Sequence, residues 1–345
     1  MTQGQRNAPT HGALLIDFGA PEHGHRGQYN AALARIFPLE RTWRGMVSLL
    51  SRKPVLVPMI EDSFFRFALG SLVRSLLGRR TAGIMMRPLP ALRGTSLRLR
   101  TKRAILKVLR RLPGCSVLTL VPFPLEPELT TIAHGWIYDL QNWDLQLAPP
   151  EEADENASDL IATIRSQAGG RRTLCALGYQ NLIKGFPRFV ELYDSSTQIR
   201  QDMLFVFGGK VDPACGDEAD RFKAAGGLAF NRFVSDKELF GLYAAADLVW
   251  CHYDASYDQT SGILGRALQL GVPVVVRHGS VAHRQCALFD HPHIAIDAAS
   301  GPAEILQPIA PLDLNAARMR ARQQAEASIA VLEQALGLSA NTVLV

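Results

Sequence analysis

The 345-residue chain is 47% hydrophobic and 20% charged, a balance that fits a soluble globular protein of about two domains and excludes a disordered or fibrous one. No run approaches the length of a membrane-spanning helix and the amino terminus, MTQGQRNAPTHG, has no apolar signal segment, so the expected location is the cytoplasm. The net charge of +5 hides an asymmetry: residues 1–150 hold 20 Lys and Arg against 9 Asp and Glu, a net of +11, and the remainder is acidic at −6.

In chain order, ALLIDF (13–18) predicts a first strand. It is followed by the loop GAPEHGHRG and a helix through Asn30, Leu33, Ala34 and Ile36, a first βα unit. Further strands are expected at 55–59, 83–86 and 117–121, separated by basic helical material. The stretch SFFRFALGSLVRSLLGRR mixes Phe64, Phe65, Phe67, Leu69, Leu72, Val73, Leu76 and Leu77 with Arg66, Arg74, Arg79 and Arg80. From position 79 to 111 eleven Lys and Arg meet no acidic residue. Apolar groups beside arginines are what a helix lying on an anionic lipid surface requires; the plainer alternative is a domain helix with a solvated basic face. Nucleic acid is not an expected partner, because aromatics do not interleave with the basic run.

APPEEADENAS (148–158) reads as an inter-domain linker or as the acidic start of the next helix. A second α/β series then has strands at 173–177, 203–207, 228–230, 248–250 and 274–276. In its middle, Ser235 and Glu238 form a capping box, and Thr260 or Ser261 is placed to N-cap a helix that Gly271 and Pro273 end. Residues 314–336, rich in Ala, Arg, Gln and Glu, predict one long helix. Alternating strands and helices favour parallel sheets, hence an α/β fold of two Rossmann-like domains with a central cleft. The expected divisions are 1–150, 151–310 and a terminal helix in 311–345 able to pack back on the first domain. Cys115, Cys175, Cys215, Cys251 and Cys286 show no CxxC pair and read as reduced core residues.

Three polar clusters are expected at the carboxyl ends of the second series. Gly178-Tyr-Gln-Asn-Leu-Ile-Lys184-Gly185 offers close backbone approach and a cation for a diphosphate. Gly208-Gly209-Lys210 repeats glycine and lysine, and the loop 252–262 ends in Ser261 and Gly262 at a helix N-terminus. Each alone is an ordinary βα turn; three on one edge suggest a ligand site. His25, in the loop after the first strand, is a candidate for contacting the acceptor or the sugar, with His134 as a rival.

These residues resemble the donor domain of family-4 glycosyltransferases, retaining enzymes of the GT-B fold that use nucleotide-diphosphate sugars. The similarity covers roughly residues 170–280: Gly178, Lys184 and Gly185 match the family's first loop, MLFVFGG its strand and Gly-rich turn, DKELFGLYAAAD its helix, and ALQLGVPVV the segment after its glutamate pair. In the first half the resemblance rests on Gly24 and His25. It departs at Tyr179, where the family has Arg, and at Asp258 and Arg266, which stand on the two glutamates. Arg266 carries donors only and cannot accept ribose hydroxyls as a glutamate does; Asp258 keeps a carboxylate near the donor sugar with a shorter reach.

What the resemblance implies is transfer, with retention and without a metal or other cofactor, from a nucleotide sugar. The acceptor expected is polyprenyl-linked or otherwise membrane-held, as in surface polysaccharide assembly; the basic, aromatic first half motivates the membrane part, at the inner face of the cytoplasmic membrane. On this reading Asp258 and His25 are the catalytic candidates. Gly24, Gly178, Lys184, Gly208, Gly209, Ser261, Gly262 and Arg266 are the donor-binding ones. The alternatives are a non-catalytic scaffold of the same fold and a nucleotide-sugar epimerase.

Overall fold

The computed structural model describes residues 13–17, 25–37, 40–42, 50–150, 152–309 and 313–338. They belong to two compact units, one of Met1–Leu147 with Arg322–Val345, the other of Ala148–Ala321.

The first unit is built on a parallel sheet of six short strands: β1 (Leu14–Ile16), β2 (Glu40–Thr42), β3 (Val55–Val57), β4 (Thr81–Met85), β5 (Cys115–Thr119) and β6 (Gly135–Trp136). Their order is β2-β1-β3-β4-β5-β6, with Leu14 opposite both Glu40 and Val55 and Thr81 opposite Cys115. Strands β1, β3 and β4 are buried throughout, which is why β1 and β3 read as unbroken apolar runs. The last part of the long helix Leu314–Leu336 is fastened to this unit. Ser328 Oγ accepts from the Tyr138 amide at 3.0 Å, and the Gln334 carbonyl accepts from Arg80.

One part of the basic segment differs from expectation. Arg74, on the helix Phe64–Leu76, is fully buried: its guanidinium donates to Thr81 Oγ1 and to the carbonyls of Ser51, Lys53 and Arg80 at 2.7–2.8 Å. Four neutral oxygens satisfy it, and burial drops its pKa to about 10. It holds the turn before β4 together and offers nothing to a lipid surface. Phe64 and Phe67 are core residues as well.

The second unit carries β7 (Arg172–Leu177), β8 (Met203–Gly208), β9 (Leu228–Phe230), β10 (Leu248–Cys251), β11 (Val274–Arg277) and β12 (His293–Ile296), again all parallel, in the order β12-β11-β10-β7-β8-β9. From β7 the chain winds outward one way through β8 and β9, then returns to the other side through β10, β11 and β12. The reversal leaves a crevice outside the carboxyl ends of β7 and β10, where ligands collect in doubly wound sheets. Its core is aromatic: Phe186, Phe189, Tyr193, Phe205, Phe207, Phe222 and Trp250 pack with ring centroids about 5 to 6 Å apart.

The capping box at Ser235 and Glu238 is present, with both reciprocal hydrogen bonds. Arg232 adds a 2.5 Å ion pair that, more than any other contact, brings the Glu238 carboxyl down to about 2. Asp154 caps the helix Glu155–Ala168 through the Ala157 amide, so the acidic end of the 148–158 stretch is a helix start. All five cysteines are buried and free. Among the described residues no helix is long and apolar enough to cross a membrane.

Candidate functional site

The crevice at β7 and β10 is assembled from three loops that contact one another through backbone. After β7, Gly178 donates its amide to the Gly208 carbonyl at 2.9 Å. Gln180 then bridges to Lys210 and Asp212, continuing the β7–β8 pairing beyond the strands. Gly209 sits at φ +143, and a Cβ there would lie 1.8 Å from the Gly178 carbonyl oxygen, so the two glycine turns touch main chain to main chain. Gly185 is set the same way against the third loop, its missing Cβ falling 2.0 Å from the His252 carbonyl oxygen. These close approaches explain why glycines recur along this edge.

Lys184 follows from that framework. Asn181 holds the turn by accepting the Lys184 amide on its side chain at 2.8 Å, and the Asp254 amide donates to the Ile183 carbonyl. The ammonium then lies 4.3 Å from the Tyr253 ring centroid and 5.0 Å from that of Tyr257. The Tyr253 hydroxyl reaches Ser261 Oγ at 2.7 Å. Ser261 is the N-cap of the helix Gly262–Leu270 by position, but its hydroxyl is committed to Tyr253 and makes no capping bond. A lysine, two tyrosines, a serine and the N-terminus of a nine-residue helix thus converge at the β7–β10 crevice.

Asp258 is held by two neighbours. Its Oδ1 accepts from the Val281 amide at 2.7 Å, at the start of the helix Val281–Leu288, and lies 3.4 Å from Arg277 Nη2. Arg277 also donates to the Tyr253 carbonyl at 3.2 Å. Asp258 and Arg277 together brace the loop that carries Tyr253 and Tyr257.

No protein-family model matches the chain, and no curated protein sequence matches it. Solved structures do. HepE of Anabaena, crystallised in complex with UDP, superposes with a TM-score of 0.65 at 12% identity over 95% of this chain and all of that one. A UDP-forming α,α-trehalose-phosphate synthase from Burkholderia xenovorans gives 0.55 at 10% identity, covering 93% of this chain and 81% of its own. WaaG, a glycosyltransferase involved in lipopolysaccharide biosynthesis, gives 0.51 at 13% identity over 96% of each. These neighbours are GT-B glycosyltransferases. The chain has the GT-B fold.

Within this GT-B chain, Gly178, Lys184, Gly208, Gly209, Ser261 and Gly262 lie together around the crevice. Arg266 is one turn further along the helix Gly262–Leu270. Its guanidinium is 5.1 Å from the Phe240 ring centroid and donates to Gln269 Oε1 at 2.7 Å. Tyr179, in the place of the family's arginine, is half exposed and donates its hydroxyl to Asp212 at 2.8 Å. Gly24 lies outside the described residues, and His25 is described only as the first residue of the helix His25–Ile36. His134 precedes β6 on the amino side of that strand. Its Nδ1 accepts from the Val117 amide at 3.0 Å, and burial lowers its pKa.

Sequence reasoning pointed to the 252–262 loop without singling out His252, Tyr253 or Tyr257 in it, and it missed Arg277. His252 is 9% exposed at the end of β10, its ring 5.2 Å from that of Trp250, and neither ring nitrogen has a partner among the described residues. Burial brings its pKa to about 4, so the imidazole is neutral at pH 7. Arg277 had a signal in VVVR, a cation at the carboxyl end of an apolar strand. The tyrosines had none, because their value lies in a lysine seventy residues earlier. Among the described residues, no group of three or more His, Cys, Asp or Glu is arranged to hold a metal ion.

Proposed function

We propose that the protein is a glycosyltransferase that takes a sugar from a nucleotide-diphosphate donor. The observation that carries this reading is the convergence of Lys184, the Ser261–Gly262 helix start and the two glycine turns at the β7–β10 crevice of a GT-B chain. The diphosphate lies against the helix N-terminus and the Lys184 ammonium, which also stabilise the nucleotide as it departs. The UDP complex of HepE, a neighbour in fold, supports a nucleoside diphosphate as the ligand. Transfer proceeds with retention and without a metal. The acceptor is held at the inner face of the cytoplasmic membrane as a polyprenyl-linked intermediate of surface polysaccharide assembly; the +11 charge of residues 1–150 motivates the membrane part of this reading.

Titration calorimetry with UDP, GDP, ADP and TDP tests the donor half. One nucleotide binds preferentially, and Lys184→Ala weakens it about tenfold or more, the ordinary worth of a charge-assisted contact to phosphate. Unchanged affinity in that variant removes the lysine from the site. Product analysis with lipid-linked acceptors then separates transfer from epimerisation, which leaves the donor's mass unaltered.

A second reading is favoured by one observation. The Asp258 carboxylate is already engaged by Val281 and Arg277, as a residue kept for structure is. On that reading the protein keeps the fold, contacts the membrane or other assembly enzymes through its basic face, and neither binds a nucleotide nor transfers a sugar.

A further inference from the structure

At the carboxyl ends of β3 and β4 the first unit has a cavity of about 880 Å³, lined by Glu61, Phe65, Arg66, Ser96, Arg98 and Lys102 among others. It lies where two 13-residue helices begin, Phe64–Leu76 and Leu97–Leu109. Arg66 and Arg98 have neither a hydrogen bond nor an ion pair with any described residue. Lys102 rests over the Phe64 ring at 4.9 Å. Glu61 accepts from the Arg87 amide through Oε1 at 2.6 Å, while its Oε2 is buried with no partner; Asp62 is a second carboxylate at the rim. Unpaired cations on this space, with the Glu61 carboxyl group beside them, call for a ligand that brings acceptor groups and a donor.

Phe65 belongs to this cavity and also begins something else. With Leu69, Leu72 and Leu76 it recurs at helical spacing along one face of Phe64–Leu76, and the four are 60%, 53%, 41% and 80% exposed. The opposite face, with Phe64, Phe67 and Ser71, is in the core. Single exposed leucines are unremarkable, but a continuous apolar stripe about 16 Å long, at 1.5 Å per residue, is a contact surface. It starts at the cationic cavity, so one end of the surface suits a charged head and the rest an apolar tail.

We propose that the cavity and the stripe together bind a single amphiphile, a prenyl-type lipid with a glycosylated phosphate head. Phosphate oxygens meet Arg66, Arg98 and Lys102, a sugar hydroxyl donates to Glu61, and the tail runs along Leu69, Leu72 and Leu76. This deepens the transferase reading by placing its lipid-linked acceptor. It rests on that reading for the acceptor role alone, since the binding itself is measurable without transfer.

The experiment uses soluble probes on the whole chain: inorganic diphosphate, farnesyl diphosphate, and farnesyl diphosphate carrying a sugar, each followed by calorimetry. Farnesyl diphosphate is expected to bind at least tenfold tighter than inorganic diphosphate. Arg66→Ala with Arg98→Ala weakens both probes about tenfold, whereas Leu69→Ser with Leu72→Ser weakens only the farnesyl one. The sugar adds affinity that Glu61→Ala removes. Retained binding of the nucleoside diphosphate in each variant shows that the fold is intact, and its failure in the unaltered protein counts against the donor reading, not this one. Equal affinity for the two unglycosylated probes overturns the proposal. So do stripe substitutions that release the protein from anionic vesicles yet leave farnesyl diphosphate binding unchanged, which would make the stripe a bilayer contact.

Discussion

The carboxyl edges of the two sheets are made of the same parts, short parallel strands running into polar loops and helix starts, but they keep their charges differently. In the second unit Lys184 is held over two tyrosine rings, Arg277 is shared between the Tyr253 carbonyl and Asp258, and the glycine turns touch through backbone. In the first unit Arg66 and Arg98 make no hydrogen bond or ion pair among the described residues, and the apolar side chains beside them face outward. A preorganised edge lowers the ordering cost of a compact, highly charged ligand. An open edge suits a ligand that brings flexibility and apolar surface of its own. The difference separates a built crevice from a receptive surface within one chain.

The sharpest way to break this contrast is to disturb the backbone contact that builds the crevice. Gly209→Ala places a Cβ 1.8 Å from the Gly178 carbonyl at φ +143, combining a clash with main chain and a backbone region that L-residues avoid. The expected loss is about 3 kcal/mol or more in urea unfolding, with nucleotide binding abolished. Gly78, in the first unit, has φ +66 but open space where its Cβ would go. Gly78→Ala should cost only about 1 kcal/mol. Equal losses would show that the crevice is no more tightly built than an ordinary helix end.

The next effect is a pH dependence strongest in the second unit. Burial brings His252 and His291 to about 4, below the ordinary histidine value near 6.5. Between those values the unfolded chain takes up protons that the folded one refuses. Stability therefore falls as pH drops from about 6.5 to about 4, and these two groups add no further slope below that. On the order of 3 kcal/mol per histidine is at stake. Hydrogen exchange across β10 and β11 should accelerate over this window, and His252→Asn should flatten the slope. An unaltered slope in that variant would mean that His252 is more hydrated than its burial implies.

These features differ in how far they could be read from residues alone. Glycines at strand ends and the Ser235–Glu238 box depend on neighbours within a few positions, so composition and spacing expose them. Ser261 shows the limit: its position reads as a cap, but Tyr253, folded back from the same loop, takes the hydroxyl. Strand β6 is two residues, Gly135 and Trp136, and β12 opens on a histidine, so neither has a period to detect; both exist because a neighbouring strand offers a ladder. Arg74 misled for the same reason. Surrounded by arginines it reads as a surface cation, and only the folded chain brings four oxygens around it.

The smallest effect sharpens the comparison most, because it asks whether a charge at the crevice serves the frame or the ligand. Asp258 supplies the Val281 amide with an acceptor that the Ser280 side chain does not, since Ser280 Oγ accepts from His283 two residues further on. A carboxylate at a helix N-terminus is worth about 0.3–1 kcal/mol, and Asn keeps the acceptor while giving up the charge. Asp258→Asn should therefore lower stability by no more than about 1 kcal/mol and loosen Arg277. Tyr253 and Lys184 stay in place, so nucleotide affinity changes by less than about threefold. Unfolding and calorimetry on the same variant decide the matter. A tenfold loss of affinity with stability intact would place the carboxylate on the donor, and the crevice would then hold back one charge for its ligand, as the open edge of the first unit does with its arginines.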